Sequence, residues 1–160
     1  MEGRYLWGFV LLPYHKEKFV MDKKCFFSPG EAEPLRMTGQ SPRGWGIVVS
    51  PNGVGSKGLS FGVQDIDVGS EIPYHVHDKE EEILFFWRGK GKCVIEDEEF
   101  EIAPGSAAYF PIGVWHGVIN TGEEPLSLTW CFSPPGYENK FRRMTETGED
   151  HEAPPSQTTG

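Results

Sequence analysis

Two stretches of this 160-residue chain decide its fold: GSEIPYHVHDKEEEILFFWRG at residues 69–89 and GSAAYFPIGVWHGVIN at residues 105–120. They hold three of the five histidines, His75, His77 and His116, together with the acidic residue Glu82. Side chains alternate between the two faces of a strand, so His75 and His77 point the same way. The polar bend that follows returns Glu82 opposite this pair, and His116 joins them if the sheet closes. The spacing therefore predicts one metal site held by these four side chains.

A pair of histidines on its own is explained equally well by surface or hydrogen-bonded core positions. The surrounding residues change that balance, because glycines lie where the strands must reverse. Pro111 and Gly113 shape the approach to His116, and Asn120 follows four residues after it. The combination favours metal binding.

Short apolar runs between turn residues predict an all-β fold. Roughly eight to ten strands, spaced by turns about 8 to 12 residues apart, indicate a sandwich or a closed barrel. A turn is expected at Pro51-Asn52-Gly53. The predicted strands span residues 45–50, 60–68, 72–77, 82–88, 92–95, 100–102, 106–110, 115–120 and 126–132.

The two ends of the chain lack this strand pattern. Residues 1–44 have no long periodic segment and are predicted to form an N-terminal arm that packs on the barrel or on a partner subunit. The barrel is expected to span residues 45–133, and residues 134–144 to form a short C-terminal helix with Phe141 turned inward. Residues 145–160 contain no large apolar side chain, which is typical of a disordered tail.

Composition excludes some classes of partner and suggests a compartment. The formal net charge of −9, without a cluster of lysines and arginines, argues against binding to nucleic acid or to an anionic membrane surface. Cys25, Cys93 and Cys131 form neither a CxxC pair nor a disulfide framework. An odd number of such cysteines indicates a reducing compartment, and we expect the protein in the cytoplasm.

The two quoted stretches resemble the two sequence motifs of the cupin superfamily. The first motif, G(X)5HXH(X)3–4E(X)6G, is matched by Gly69, His75, His77, Glu82 and Gly89. The second, G(X)5PXG(X)2H(X)3N, is matched by Gly105, Pro111, Gly113, His116 and Asn120. Fifteen residues separate the motifs, a spacing typical of small bacterial-type cupins. The six-residue step to the closing glycine selects Glu82 over the two glutamates before it.

This resemblance implies a fold, a cofactor and an assembly. The implied fold is a single antiparallel β-barrel of jelly-roll type, with an N-terminal arm and a short C-terminal helix. On its inner wall, His75, His77, Glu82 and His116 would bind one divalent transition metal: Fe, Mn, Ni, Co or Zn, among which the affinity order does not choose. Cupins are frequently dimers that exchange an N-terminal strand or arm, so we expect a homodimer whose apolar first 44 residues take that role.

Strand alternation also predicts the lining of a substrate pocket. If Glu82 faces the interior, Leu84 and Phe86 do too, and the residues between them face a second sheet or subunit. Trp130 and Phe132 are further candidates, although each could be plain core. The expected pocket is mostly apolar, with one metal-bearing wall.

The chemistry of such a site leaves three functions open. The first is an enzyme, most simply a dioxygenase-like oxidoreductase, that acts on a small organic substrate chelated at the metal. The second is a non-redox lyase, isomerase or decarboxylase that uses the ion as a Lewis acid. The third is a non-catalytic module that binds a small ligand. Tyr109 is the predicted acid–base residue, because Tyr74 and Glu81 adjoin inward-facing residues and should face outward.

Overall fold

The computed structural model describes residues 24–150, which form ten strands and two short helices. The strands are β1 Glu33–Met37, β2 Arg43–Val49, β3 Ser60–Ile66, β4 Glu71–His75, β5 Glu81–Arg88, β6 Gly91–Ile95, β7 Glu98–Ile102, β8 Ala107–Phe110, β9 His116–Asn120 and β10 Leu126–Ser133. The helices are α1 Pro51–Val54 and α2 Glu138–Thr147. Neither helix of this range is long and apolar enough to cross a membrane.

All strand pairs are antiparallel, and they form two sheets. The six-stranded sheet has the order β1-β2-β3-β10-β5-β8, and the four-stranded sheet has the order β4-β9-β6-β7. Their inner faces share one hydrophobic core that includes Phe86, Phe110, Val118 and Trp130. The predicted all-β jelly-roll fold is confirmed, with one correction: among residues 24–150, hydrogen bonds do not close the two sheets into a barrel.

Strand β5 shows how the sequence pattern places the core. Glu82, Leu84 and Phe86 are buried, whereas Ile83 and Phe85 between them are 51% and 44% exposed. The register pairs Leu84 with Trp130 of β10, so the inner face of β5 continues directly into the next strand. The alternation predicted for this strand is the one observed.

One segment of the predicted arm and one predicted turn differ from expectation. Strand β1 pairs with β2 along its whole length, from Glu33 with Ile47 to Met37 with Arg43, so residues 33–37 and 43–44 of the predicted arm belong to the six-stranded sheet. The expected turn at residues 51–53 is a single helical turn, because Ser50 Oγ accepts a hydrogen bond from Gly53 N and caps it. Residues 1–23 of the predicted arm lie outside the described range.

Helix α2 lies on one end of the sandwich and is held there at several points. The ring of Phe141 stacks on Trp45, with centroids 4.9 Å apart, and packs edge-on against Trp130. Beyond the helix, Asp150 accepts two hydrogen bonds from the fully buried guanidinium of Arg43. The helix thus ends three residues past its predicted limit, and residues 145–150 are ordered parts of the fold rather than tail. Residues 151–160 lie outside the described range.

Candidate metal centre

The four predicted ligands come together between the two sheets. His75 ends β4 and lies directly opposite His116, the first residue of β9, while Glu82 comes from β5 in the other sheet. His77 follows β4 by two residues. All four are buried, and their nearest nitrogen and oxygen atoms lie within 4.8 Å of one another.

The remaining motif residues hold the loops that position these ligands. Gly113 adopts a φ of 83°, a backbone conformation that other residues rarely adopt, and its N–H donates to the carbonyl of His77. Gly89 has a φ of 87°, and a Cβ there would lie 2.8 Å from the Pro125 carbonyl. Asn120 Nδ2 donates to three backbone carbonyls, those of Ile66, Asp67 and Glu124. These residues are structural, and they connect strands of both sheets around the cluster.

The hydrogen bonds of two histidines fix which nitrogen faces the centre of the cluster. His75 Nδ1 lies 2.7 Å from the carbonyl oxygen of Pro73, and His116 Nδ1 lies 2.9 Å from that of Val114. A carbonyl can only accept, so each Nδ1 carries a proton and the neutral ring presents a lone pair at Nε2. Backbone partners of this kind are those that orient metal-binding histidines.

In these tautomers, the Nε2 lone pairs point at lone pairs of neighbouring ligand atoms. Nε2 of His116 lies 3.0 Å from Oε2 of Glu82, and Nε2 of His75 lies 3.3 Å from Nε2 of His77. Such contacts repel unless a cation lies among them, either a proton or a metal ion. Ligand atoms about 2.1 Å from one metal lie roughly 3.0 to 3.4 Å from each other in octahedral or tetrahedral sites. The separations of 3.0 and 3.3 Å fit this range, and all four ligand atoms lie within 4.8 Å of one another, so the donor set could hold one metal ion.

The charge of Glu82 also suits a cation. Burial alone raises the pKa of this carboxyl. When His116 and His77 carry protons on Nε2, their hydrogen bonds to Glu82 outweigh burial and lower the pKa to about 2. Glu82 is ionised in that state, and if a metal ion takes the place of the protons on Nε2, the three imidazoles bind it as neutral ligands. With a divalent ion the site would have a net charge of +1.

Aromatic rings enclose the cluster. Phe110 stacks on the imidazole of His116 with centroids 3.8 Å apart, and Phe132 packs edge-on against His77 at 5.4 Å. Tyr137, which directly precedes α2 and is itself buried, packs edge-on against His77 at 4.2 Å. The ligands are thus held in fixed rotamers and shielded from bulk water.

The predicted lining residues have different positions relative to the cluster. Leu84, Phe86 and Trp130 are core residues between the sheets, and the ring of Phe132 packs against a ligand ring, that of His77. Tyr109 is not brought to the cluster. It pairs with Ile83 on the outer face of the six-stranded sheet, is 54% exposed, and donates its hydroxyl to Glu81. Alternation along β8 turns it away from the interior, which corrects its prediction as an acid–base residue.

A cavity of about 230 Å³ opens beside the cluster, and its lining was not predicted from the sequence. His77 forms its inner wall, and Tyr137, Lys140 and Arg143 contribute from the region of α2. The residues of the loop between β4 and β5 complete it. The expected pocket was mostly apolar, whereas the lining of this one is about half polar. The Pro134-Pro135-Gly136 break before an aromatic residue was the one sequence signal that pointed to this region.

Comparison with known proteins agrees with this architecture. The family model of the cupin domain matches residues 62–132, which include all four candidate ligands. An uncharacterized protein of Methanocaldococcus jannaschii is 34% identical over 70 residues, which cover 44% of this chain and 56% of that protein. The chain spans about half the length of the first curated relatives it matches.

Solved structures support the same assignment at the level of the fold. A predicted oxalate decarboxylase from Thermotoga maritima superposes with a TM-score of 0.62 at 21% identity, covering 68% of this chain and 98% of that one. KdgF from Halomonas sp. gives a TM-score of 0.60 at 21% identity, covering 72% of this chain and 98% of that one. Both motifs lie around one buried cluster in two antiparallel sheets, so residues 62–132 have the sequence signature and the fold of a cupin domain.

Proposed function

We propose that the protein is a metal-dependent enzyme that acts on a small organic substrate bound at a divalent transition metal, with dioxygenase-like oxidation as the first reaction to test. The observation that carries this proposal is the buried set of three imidazoles and one carboxylate, whose ligand atoms lie within 4.8 Å of one another, because such donors suit a divalent transition metal. The adjoining cavity gives a small molecule a route to His77.

The chain's own residues supply positioning and shielding. The carbonyls of Pro73 and Val114 hold two imidazoles with Nε2 toward the centre, and Glu82 supplies the single negative charge. Phe110, Phe132 and Tyr137 exclude water from the ligand rings. A bound divalent metal would supply a Lewis acid and, if redox-active, electrons for dioxygen.

Metal reconstitution tests the reaction class. Apoprotein made by chelation is loaded separately with Fe(II), Mn(II), Ni(II), Co(II) or Zn(II) and supplied with enolic and catecholic acids while oxygen uptake is recorded. We expect uptake with Fe(II) in the wild type and none in His116→Ala. Turnover with Zn(II), or without oxygen, would replace oxidation by lyase, isomerase or decarboxylase chemistry. Ligand binding without turnover under any metal would leave a small-ligand-binding cupin.

We also propose that the protein is a homodimer. The outer face of the six-stranded sheet exposes Val63, Ile83, Phe85 and Tyr109 by 38% to 54%, and the registers of β3, β10, β5 and β8 place them on one side. Exposed apolar surface of this extent is typical of an interface. A second copy could cover it about a twofold axis, in which each copy uses the same surface.

Sedimentation velocity tests this assembly. We expect a dimer for the wild type, a monomer for Ile83→Asp/Phe85→Asp, and weaker association after deletion of residues 1–20. Metal content should be unchanged in both variants, since neither change removes a candidate ligand. A double variant that sediments as the wild-type dimer would place the interface elsewhere.

A further inference from the structure

The cavity beside His77 concentrates positive charge in an acidic protein. Three cationic side chains line it, Lys79, Lys140 and Arg143, against two carboxylates, Asp78 and Glu80. The chain as a whole has a formal charge of −9, whereas the lining of this cavity has a local excess of one positive charge, which is the opposite sign. A bound divalent metal beside Glu82 would add a further net positive charge next to the same cavity.

The cations of the cavity are not engaged by carboxylates. Within residues 24–150, neither Lys79, Lys140 nor Arg143 forms an ion pair. The neighbouring Arg142 gives the contrast, because its guanidinium forms two hydrogen bonds to Glu33 on the other side of α2. On one helix, the arginine turned away from the cavity is neutralised and the cations turned toward it are not.

Geometry connects one of these cations to the metal cluster. The ammonium of Lys140 lies 4.3 Å from the centroid of the Tyr137 ring, and that ring packs 4.2 Å from the ring of His77. The positive charge is therefore separated from a metal ligand by the width of a single aromatic ring. A small molecule could contact both without bridging a large distance.

His77 itself offers an unused donor. If Nε2 binds the metal, its Nδ1 carries the proton, as in the other two histidines. Nδ1 of His77 has no hydrogen-bond partner within the described part of the chain, although the residue is only 2% exposed. Buried donors without an acceptor are unfavourable, so an acceptor that reached Nδ1 would be stabilised.

We infer that the cavity between His77 and α2 binds a carboxylate of the substrate, held by Lys140 and Arg143, and that the substrate is therefore a small organic acid with a second oxygen-bearing end at the metal. This inference rests on the proposed function for its second half only. Binding of the carboxylate by the cavity is a property of Lys140 and Arg143 and can be measured without turnover.

Malonate and its neutral isostere malonamide are suitable probes. With Co(II)-loaded protein, we expect malonate to shift the visible absorption of the metal and malonamide to bind at least about tenfold more weakly, because hydrogen bonds to charged groups are the stronger ones. Lys140→Met/Arg143→Met should weaken malonate binding at least about tenfold while Co(II) affinity stays the same. The matched control Lys57→Met/Lys90→Met removes two exposed lysines elsewhere and should bind malonate as the wild type does.

A second measurement separates this inference from the proposed function. In nitrogen-15 correlation spectra of wild-type protein, with or without metal, malonate should move the amide signals of Gly136, Tyr137 and Lys140. If Co(II) does not bind, the proposed function fails, yet these shifts would still support the carboxylate site. Absence of the shifts, equal binding of malonamide and malonate, or wild-type binding by the Lys140/Arg143 variant would overturn the inference, even in a protein that proves to be an active enzyme.

Discussion

Two buried charged groups of this protein are built in different ways. The metal cluster joins three histidines and Glu82, and two of its rings are oriented by carbonyls only two residues away. The pair that secures the segment after α2 joins Arg43 to Asp150, 107 residues apart in the chain. The metal cluster has the arrangement of a site that binds a ligand, whereas Arg43 and Asp150 satisfy each other.

The two groups differ in whether their polar atoms have hydrogen-bond partners. Arg43 donates to Asp150, to the carbonyls of Ser41 and Glu71, and lies over the ring of Trp45. The cluster instead sets lone pairs against each other at 3.0 to 3.3 Å. We expect the ion pair, whose charges are matched, to contribute to stability, and the cluster, whose lone pairs face each other, to bind a cation. Substitutions in the two groups should therefore have separable effects.

The largest effect is expected at the cluster, on metal binding. Glu82→Gln keeps the size of the side chain and removes the only negative charge among the ligands. Because loss of an outer hydrogen-bond partner already costs about 10- to 100-fold in metal affinity, loss of this ligand should cost more than about a hundredfold. Elemental analysis of the purified variant and Co(II) titration measure it. The matched variant Glu80→Gln, at a half-buried position two residues earlier, should retain wild-type metal content. Stoichiometric tight metal in Glu82→Gln would contradict the assignment.

Arg43→Met should have the opposite effect to Glu82→Gln: it should lower the free energy of unfolding and leave metal binding unchanged. Removing one partner of a buried ion pair costs about 3 to 5 kcal/mol. Asp150 lies near the edge of the fold, where water can partly replace the guanidinium, so we expect the lower end of that range. Urea denaturation of the metal-free protein measures it.

The double variant Arg43→Met/Asp150→Asn should regain part of the loss, because no charge is then left without its partner. Metal affinity of Arg43→Met should stay within about threefold of wild type, since the two groups share no residue. A variant that lost metal and stability together would show that the two regions are coupled.

Tyr137 lies between the two regions, so its replacement tests whether they are independent. Its ring packs against His77, Phe132 and Phe141. Tyr137→Leu keeps an apolar side chain and removes the aromatic contacts, which are worth about 0.5 to 1.5 kcal/mol each, so we expect a loss of about 1.5 kcal/mol. Thermal unfolding measures the stability, and metal titration the cluster. If metal affinity falls by tenfold or more, Tyr137 belongs to the metal site and not only to its cover.

The same contrast explains what could be predicted from the sequence. The cluster was predicted residue by residue, because alternation and turn glycines are local features and fix the positions of His75, His77 and Glu82 relative to each other. The contacts of α2 could not be predicted in this way. Arg43 and Asp150, or His77 and Tyr137, meet only because the folded sheets bring distant segments together. The face of Tyr109 depended on the register of β8 with β5, which no local pattern gives.

The smallest effect is expected at the ion pair on the outer side of α2, between Arg142 and Glu33. A hydrogen bond from Arg142 lowers the pKa of Glu33, against the opposing effect of partial burial. Glu33 is about half exposed, so Arg142→Ala should cost less than about 1 kcal/mol at pH 7.

The pH dependence of this ion pair follows from the lowered pKa of Glu33. A carboxyl whose pKa is lower in the folded state stabilises the fold above its unfolded-state pKa of about 4.3, and this stabilisation is lost as the pH falls through the folded-state pKa. The difference between wild type and Arg142→Ala should thus be constant from pH 7 to about pH 5 and shrink below about pH 4. Urea midpoints measured across this range test the sign, and a difference that grew toward acid would mean that Arg142 acts through another group. A loss near that of Arg43→Met would show that the outer side of α2 matters to the fold as much as its buried end.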